Sequence, residues 1–103
     1  MGVRAEASPK SMTQVLDLVL TAGDYDGSLV GHWKVVKAAK SYEIQLSADP
    51  VTATSWTYKM TATRRSAVLK ELSNGAKLWA RVRALGADNA PGPWSDPAVK
   101  TVP

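Results

Sequence analysis

Apolar and polar residues alternate along most of this chain, which is the period of β-strands that bury one face. The clearest segment is SYEIQLS (41–47), where Tyr42 and Ile44 share one face and Glu43 and Gln45 share the other. This pattern predicts a strand that packs on a core and turns its second face to solvent. Seven segments have this character: 15–23, 28–36, 41–47, 55–63, 65–72, 78–85 and 98–102.

Turn-forming residues separate these segments. They include AGDYDGS (22–28), Asp49-Pro50, Asn74-Gly75 and GADNAPGPWSDP (86–97), and we expect Gly27 to adopt a positive φ in the first of them. One helical alternative exists, RRSAVLKEL (64–72), but both neighbouring segments read as strands. We therefore predict an all-β chain, folded as a seven-stranded antiparallel Greek-key β-sandwich.

The alternation also predicts which side chains face the core. In the segment 78–85, Leu78 and Val82 point inward, while Trp79, Arg81 and Arg83 point outward. The predicted core contains Trp33, Tyr42, Ile44, Leu72, Leu78 and Val82.

Two aromatic residues of the fourth segment leave two interpretations open. Trp56 and Tyr58 have the same parity, so one face of that strand is strongly aromatic. We favour a core position for this face. The alternative is an exposed platform on an edge strand that binds a sugar or a peptide.

Composition places limits on the class of protein. A chain of 103 residues, 45% of them hydrophobic, is long enough for one domain with its own core. It has no cysteine, which excludes disulfides and thiolate metal sites. The net charge of +4 comes from scattered basic residues, so we expect no nucleic-acid partner. No apolar run is long enough for a membrane span.

Candidate catalytic and metal-binding residues are few. His32 is the only histidine and falls on the outward face of its strand, without a nucleophile beside it. Asp24 and Asp26 lie in a turn that lacks the other ligands of a calcium loop. We therefore expect no enzyme activity, no cofactor and no metal.

Several motifs in the same order resemble a fibronectin type III domain, especially a bacterial one. They are Trp33 in the second strand, Tyr42 in the third, Leu72 closing the fifth, and the stretch SNGAKLWARVRALGADNAPGPWSDP (73–97). The resemblance covers 15–103, and 1–14 read as a flexible N-terminal leader. In that family a tyrosine follows the leucine by six residues, but this position holds Leu78, so the hydrogen bond of a tyrosine corner is lost.

The resemblance implies an immunoglobulin-like, non-catalytic module that mediates protein contacts or domain spacing, in an extracellular or cell-surface protein. A protein partner or neighbouring domains of a longer chain are expected, and a monomer is the default. The alternative function is a carbohydrate- or peptide-binding module with an exposed aromatic platform. Candidate binding residues are Trp56, Tyr58, Trp79, Arg81, Arg83 and Trp94.

The position of Trp94 can be predicted because its segment, PGPWSDP (91–97), leads into the last strand. In a sandwich of this type that strand lies beside the sixth. The indole should then stack on Arg81 or Arg83, with a pair from Glu43 to one of these arginines nearby. A partner-binding role for Trp94 is the second interpretation.

Overall fold

Seven β-strands make up the regular structure of this protein in a computed structural model, which describes residues 13–103. A short 3₁₀ turn at Ala87–Asn89 precedes the last strand. The predicted leader 1–14 lies outside the described residues except for its last two positions. The strands are β1 (Val19–Ala22), β2 (Leu29–His32), β3 (Ser41–Ala48), β4 (Thr57–Ala62), β5 (Ser66–Leu69), β6 (Lys77–Leu85) and β7 (Ala98–Thr101).

The strands form two antiparallel sheets that pack face to face. The smaller sheet has the order β1-β2-β5 and the larger has the order β4-β3-β6-β7. The predicted all-β sandwich of seven strands is confirmed. Two strands distant in the chain, β3 and β6, are paired along eight residues at the centre of the larger sheet.

The core lies between the sheets and consists of the inward residues of the alternating strands. Trp33, Tyr42, Ile44 and Val82 are all buried, and the rings of Trp33 and Tyr42 meet edge to face with centroids 5.4 Å apart. The Tyr42 hydroxyl accepts a hydrogen bond from the backbone N–H of Val36 at 3.0 Å. This bond gives the buried hydroxyl a partner.

Two residues of the predicted core, Leu72 and Leu78, are only half-buried and pack against its border. Leu72 lies in the β5–β6 turn and Leu78 lies near the start of β6, so both are at one end of the sandwich. Unlike the tyrosine expected at this position, Leu78 has no hydroxyl that could form a hydrogen bond with the β5–β6 turn. Backbone groups from the C-terminal segment bind the turn instead, with Gly75 N–H donating to the Val102 carbonyl and Val102 N–H donating to the Ala76 carbonyl, both at 2.8 Å.

The first two strands are shorter than the predicted segments. Asp17 has a φ of 59°, and β1 begins only after it, at Val19. Strand β2 ends at His32, although the next hydrogen bond, from the Trp33 N–H to the Arg65 carbonyl, continues the register between β2 and β5. The alternation of side chains does not indicate where either strand begins or ends.

The described part of the chain begins and ends at opposite poles of the sandwich. At the first pole, the Gln14 side chain donates to the Trp94 carbonyl at 3.1 Å, beside the loop that follows the end of β6. At the second pole, the Pro103 carbonyl accepts from Gly27 N–H at 3.1 Å and from the Asn74 side chain at 2.7 Å. Strand β6 runs from the second pole to the first, a length of about 27 Å at the usual rise per residue.

Among residues 13–103, no helix is long and apolar enough to cross a membrane.

Candidate functional site

The outer face of the larger sheet carries all six candidate binding residues. We define this face by the outward side chains of β3 and β6 together with Trp56, Tyr58 and Trp94. The register explains why they meet: on neighbouring strands Gln45 is opposite Arg81, Glu43 is opposite Arg83, and the outward residues therefore form rows across the sheet.

The core position that we favoured for Trp56 and Tyr58 is wrong. Ile44 pairs with Met60 and Gln45 pairs with Tyr58, so Lys59 is an extra residue in β4. This β-bulge shifts the alternation by one position. Met60 therefore faces the core, while the side chain of Tyr58 is 61% exposed.

The same bulge explains a contact between Tyr58 and Thr61, which are three residues apart. Their hydroxyl groups are 2.9 Å from each other. A regular strand would place residues at this spacing on opposite faces, but with Lys59 bulged both lie on the outer face.

Trp94 reaches the outer face because of the residue that follows it. Ser95 is buried: its N–H donates to the Val82 carbonyl at 2.8 Å, and its hydroxyl accepts from the Val82 N–H at 3.0 Å. Because successive side chains of an extended segment alternate, an inward Ser95 turns Trp94 outward. The Gly92 N–H also donates to the Ala84 carbonyl at 2.8 Å, which attaches PGPWSDP to the edge of β6.

Arg81 lies between two indole rings. Its guanidinium carbon is 4.5 Å from the ring centroid of Trp56 and 4.2 Å from that of Trp94. Both distances are within the range of a cation–π interaction. In its own plane, the group donates from Nε and Nη2 to the side-chain oxygen of Gln45, at 2.9 and 2.6 Å.

Arg83 also lies over the indole of Trp94. Its guanidinium carbon is 4.4 Å from the Trp94 ring centroid. It also forms an ion pair with Glu43, in which Nη2 and Nε lie 2.7 and 2.8 Å from the same carboxylate oxygen. The stacking on both arginines and the Glu43 pair expected from the sequence are thus present, with Arg83 as the partner of Glu43.

Trp79 lies at the end of the outer face nearest the second pole. Its indole N–H donates to the Asp49 carboxylate at 2.9 Å, and the ammonium group of Lys77 is 4.0 Å from the same oxygen. Trp56, Trp79 and Trp94 are all half-buried. Each indole therefore still presents part of its surface to solvent.

The two arginines differ in their electrostatic environment. Burial and the neighbouring charge of Arg83 lower the pKa of Arg81, while Glu43 raises it. Arg81 nevertheless remains a cation at neutral pH, because arginine does not lose its proton in proteins. A partly desolvated cation surrounded by indoles suits recognition of an anionic group, and it offers no nucleophile or base for catalysis.

The residues considered for catalysis or metal binding lie apart from this face. His32 is exposed on β2, in the other sheet. Asp24 and Asp26 lie in the β1–β2 turn, where Gly27 has a φ of 78°. Among residues 13–103, no group of three or more His, Cys, Asp or Glu side chains could hold a metal ion.

Comparison with known proteins finds similarity at the level of the fold. The crystal structure of FN3tt superposes with a TM-score of 0.74 at 21% identity, covering 87% of this chain and 92% of that one. An Fn3-like protein from Clostridium thermocellum gives 0.73 at 17% identity, covering 82% and 86%. This chain has the fibronectin type III fold.

The same fold occurs inside longer chains. The twitchin kinase region from C. elegans matches with a TM-score of 0.74 at 13% identity, covering 90% of this chain and 17% of that one. No protein-family model and no curated protein sequence matches this chain.

Sequence reasoning missed two hydrogen-bonded pairs within this domain. The Gln45–Arg81 hydrogen bonds and the Trp79–Asp49 bond join residues 36 and 30 positions apart. The outward parity of Gln45 and Arg81 was available from the sequence. Their pairing also needs the register between β3 and β6, which no local pattern specifies.

Proposed function

We propose that this protein is a non-catalytic fibronectin type III module that spaces neighbouring parts of a longer chain and offers its outer face for protein contacts. The observation that carries the proposal is the position of the two ends. The chain reaches the sandwich at the first pole, through Gln14, and leaves it at the second pole, through Pro103. A segment attached at either end can therefore extend away from the domain.

The attachment of both ends supports a spacing role. Pro103 is bonded to Gly27 and Asn74, and Val102 is buried beside the β5–β6 turn. At the first pole, Val15 is 1% exposed and the Leu16 carbonyl accepts from the Lys34 N–H at 3.0 Å. Because both ends are fixed to the sandwich, the domain holds the segments attached to it at a defined distance from each other.

Two further observations agree with a module of this kind. Domains with this fold are generally non-catalytic. A similar domain also forms a minor part of the twitchin kinase region, which is a much longer chain. We infer that this protein is likewise one module within a longer chain.

The spacing role can be measured by placing residues 13–103 between two fluorescent protein domains. The control replaces it by a Gly/Ser linker with the same number of residues. Such a linker behaves as a random coil, with a root-mean-square span of about 50 Å and a broad distribution. We expect the folded module to give a narrow distribution of energy-transfer efficiency that broadens when urea unfolds it. Equal widths for the module and the linker would contradict the spacing role.

A further inference from the structure

We propose that the outer face binds an acidic, extended protein segment, with a carboxylate of that segment paired to Arg81. The inference deepens the protein-contact part of the proposed function and rests on it. It names the residue at the centre of the contact and the chemistry of the partner. The observation behind it is a difference between two adjacent arginines.

Arg83 has an anionic partner and Arg81 has none among residues 13–103. Arg83 is paired with the Glu43 carboxylate at 2.7 Å. Arg81 donates only to Gln45, whose side chain is neutral. A partly desolvated cation normally has a carboxylate beside it, since burial of a charge without a counter-charge is unfavourable.

The contacts of Arg81 leave one of its donor groups available to an anion. Its guanidinium carbon lies over the rings of both Trp56 and Trp94, 4.5 and 4.2 Å from their centroids. One edge is used by Gln45, whereas Nη1 has no hydrogen-bond partner among the described residues. A planar carboxylate can approach in the guanidinium plane and accept from Nη1 and Nη2, which is the bidentate geometry that arginine favours.

The surroundings of Arg81 favour a protein segment over a small anion. Trp56, Trp79 and Trp94 each leave part of their indole exposed, and Val99 on β7 is 40% exposed. Aromatic residues next to an arginine are typical of the centres of protein interfaces. Apolar side chains of a partner would cover these surfaces while its carboxylate reaches Arg81.

A pair of short peptides tests this assignment. The probe is Ac-Gly-Glu-Leu-Glu-Gly-NH₂, and its neutral counterpart has glutamine in place of both glutamates. Binding is followed through the indole N–H signals of the tryptophans in ¹⁵N-labelled protein. We expect saturable shifts for Trp56 and Trp94, and about tenfold weaker binding of the neutral peptide.

The most informative variant is Gln45→Glu, which supplies Arg81 with a carboxylate from its own sheet. The side chain keeps its shape, so the fold should persist, while the internal carboxylate competes with that of the peptide. Arg64→Gln is the matched control, since it lowers the net charge by the same amount at an exposed position outside the outer face. Gln45→Glu should weaken binding of the acidic peptide about tenfold, and Arg64→Gln should change it little.

Three results would overturn the proposal. They are equal binding of the acidic and neutral peptides, an equal effect of Gln45→Glu and Arg64→Gln, and tighter binding of an oligothymidylate than of the acidic peptide. The last result would assign the face to a nucleic-acid backbone. The energy-transfer measurement uses no peptide, so the two experiments fail independently. A failed peptide titration does not contradict the spacing role, and a failed spacing measurement does not contradict the contact at Arg81.

Discussion

Replacing Trp94 by alanine should destabilise the domain strongly, because one indole covers two guanidinium groups. The distances from Arg81 and Arg83 to its ring centroid are 4.2 and 4.4 Å. Each contact contributes about 0.5–2 kcal/mol, depending on desolvation. Burial of about half of the indole adds about 2 kcal/mol. We therefore expect a loss of about 3–6 kcal/mol in the free energy of unfolding.

The assay is urea unfolding followed by far-UV circular dichroism, since tryptophan fluorescence changes with the substitution itself. A double-mutant cycle of Trp94→Ala with Arg83→Ala isolates the stacking contribution from the loss of apolar burial. We expect the two losses to be non-additive by about 0.5–2 kcal/mol. Trp94→Ala with Arg64→Ala is the control cycle, because Arg64 is exposed in the turn between β4 and β5.

The reasoning fails if the Trp94–Arg83 losses add as closely as those of the control cycle, within about 0.3–0.5 kcal/mol. In that case the indole would stabilise the domain through apolar burial alone. Trp94 would still stabilise the fold, but its stacking on the arginines would contribute nothing measurable to the free energy of unfolding.

Other predictions concern the segments that hold the outer face and the second pole. Ser95→Ala leaves the buried N–H of Val82 without its hydroxyl partner and should cost about 1–3 kcal/mol in urea unfolding; a cost near zero would show that this bond does not orient the segment. Gly27→Ala should destabilise more than Gly75→Ala, because both have positive φ but only at Gly27 would a Cβ lie 2.9 Å from the Leu72 carbonyl oxygen. Equal melting temperatures for the two variants would contradict this.

The central strands of the larger sheet were predictable because each buries one face only. In β3 and β6, the alternation of Ile44 with Gln45 and of Val82 with Arg81 separates core from surface directly. The outward position of Trp94 followed from the expected neighbourhood of the sixth and seventh strands. Its stack on both arginines required only that these side chains share a face.

The fourth strand was not predictable in the same way. A bulge at Lys59 has no signature in the order of apolar and polar residues, yet it reverses the parity of every residue on one side of it. Trp56 and Tyr58 were therefore assigned to the wrong face. Met60 and Ala62 pack in or against the core instead, and only the pairing of β4 with β3 shows this.

The lack of a carboxylate partner for Arg81 among residues 13–103 was also beyond the sequence. Sequence parity placed Gln45 and Glu43 on the same face as both arginines, so either arginine could have received the carboxylate. In the register between β3 and β6, Glu43 lies opposite Arg83 and forms an ion pair with it. Arg81 lies opposite Gln45 and donates to the oxygen of its side-chain amide. One step of register thus decides which arginine pairs with Glu43.

The distance between the two ends of the folded domain tests the central claim most directly. The chain has no cysteine, so Thr13→Cys and Pro103→Cys can be spin-labelled without background and measured by pulsed electron resonance. Asp26→Cys with Pro103→Cys is the control pair at one pole, since the Gly27 N–H contacts the Pro103 carbonyl. We expect one narrow distance of about 27 Å or more for the first pair and a clearly shorter one for the control. Similar distances for both pairs, or a broad distribution for the first, would contradict a module that spaces its neighbours.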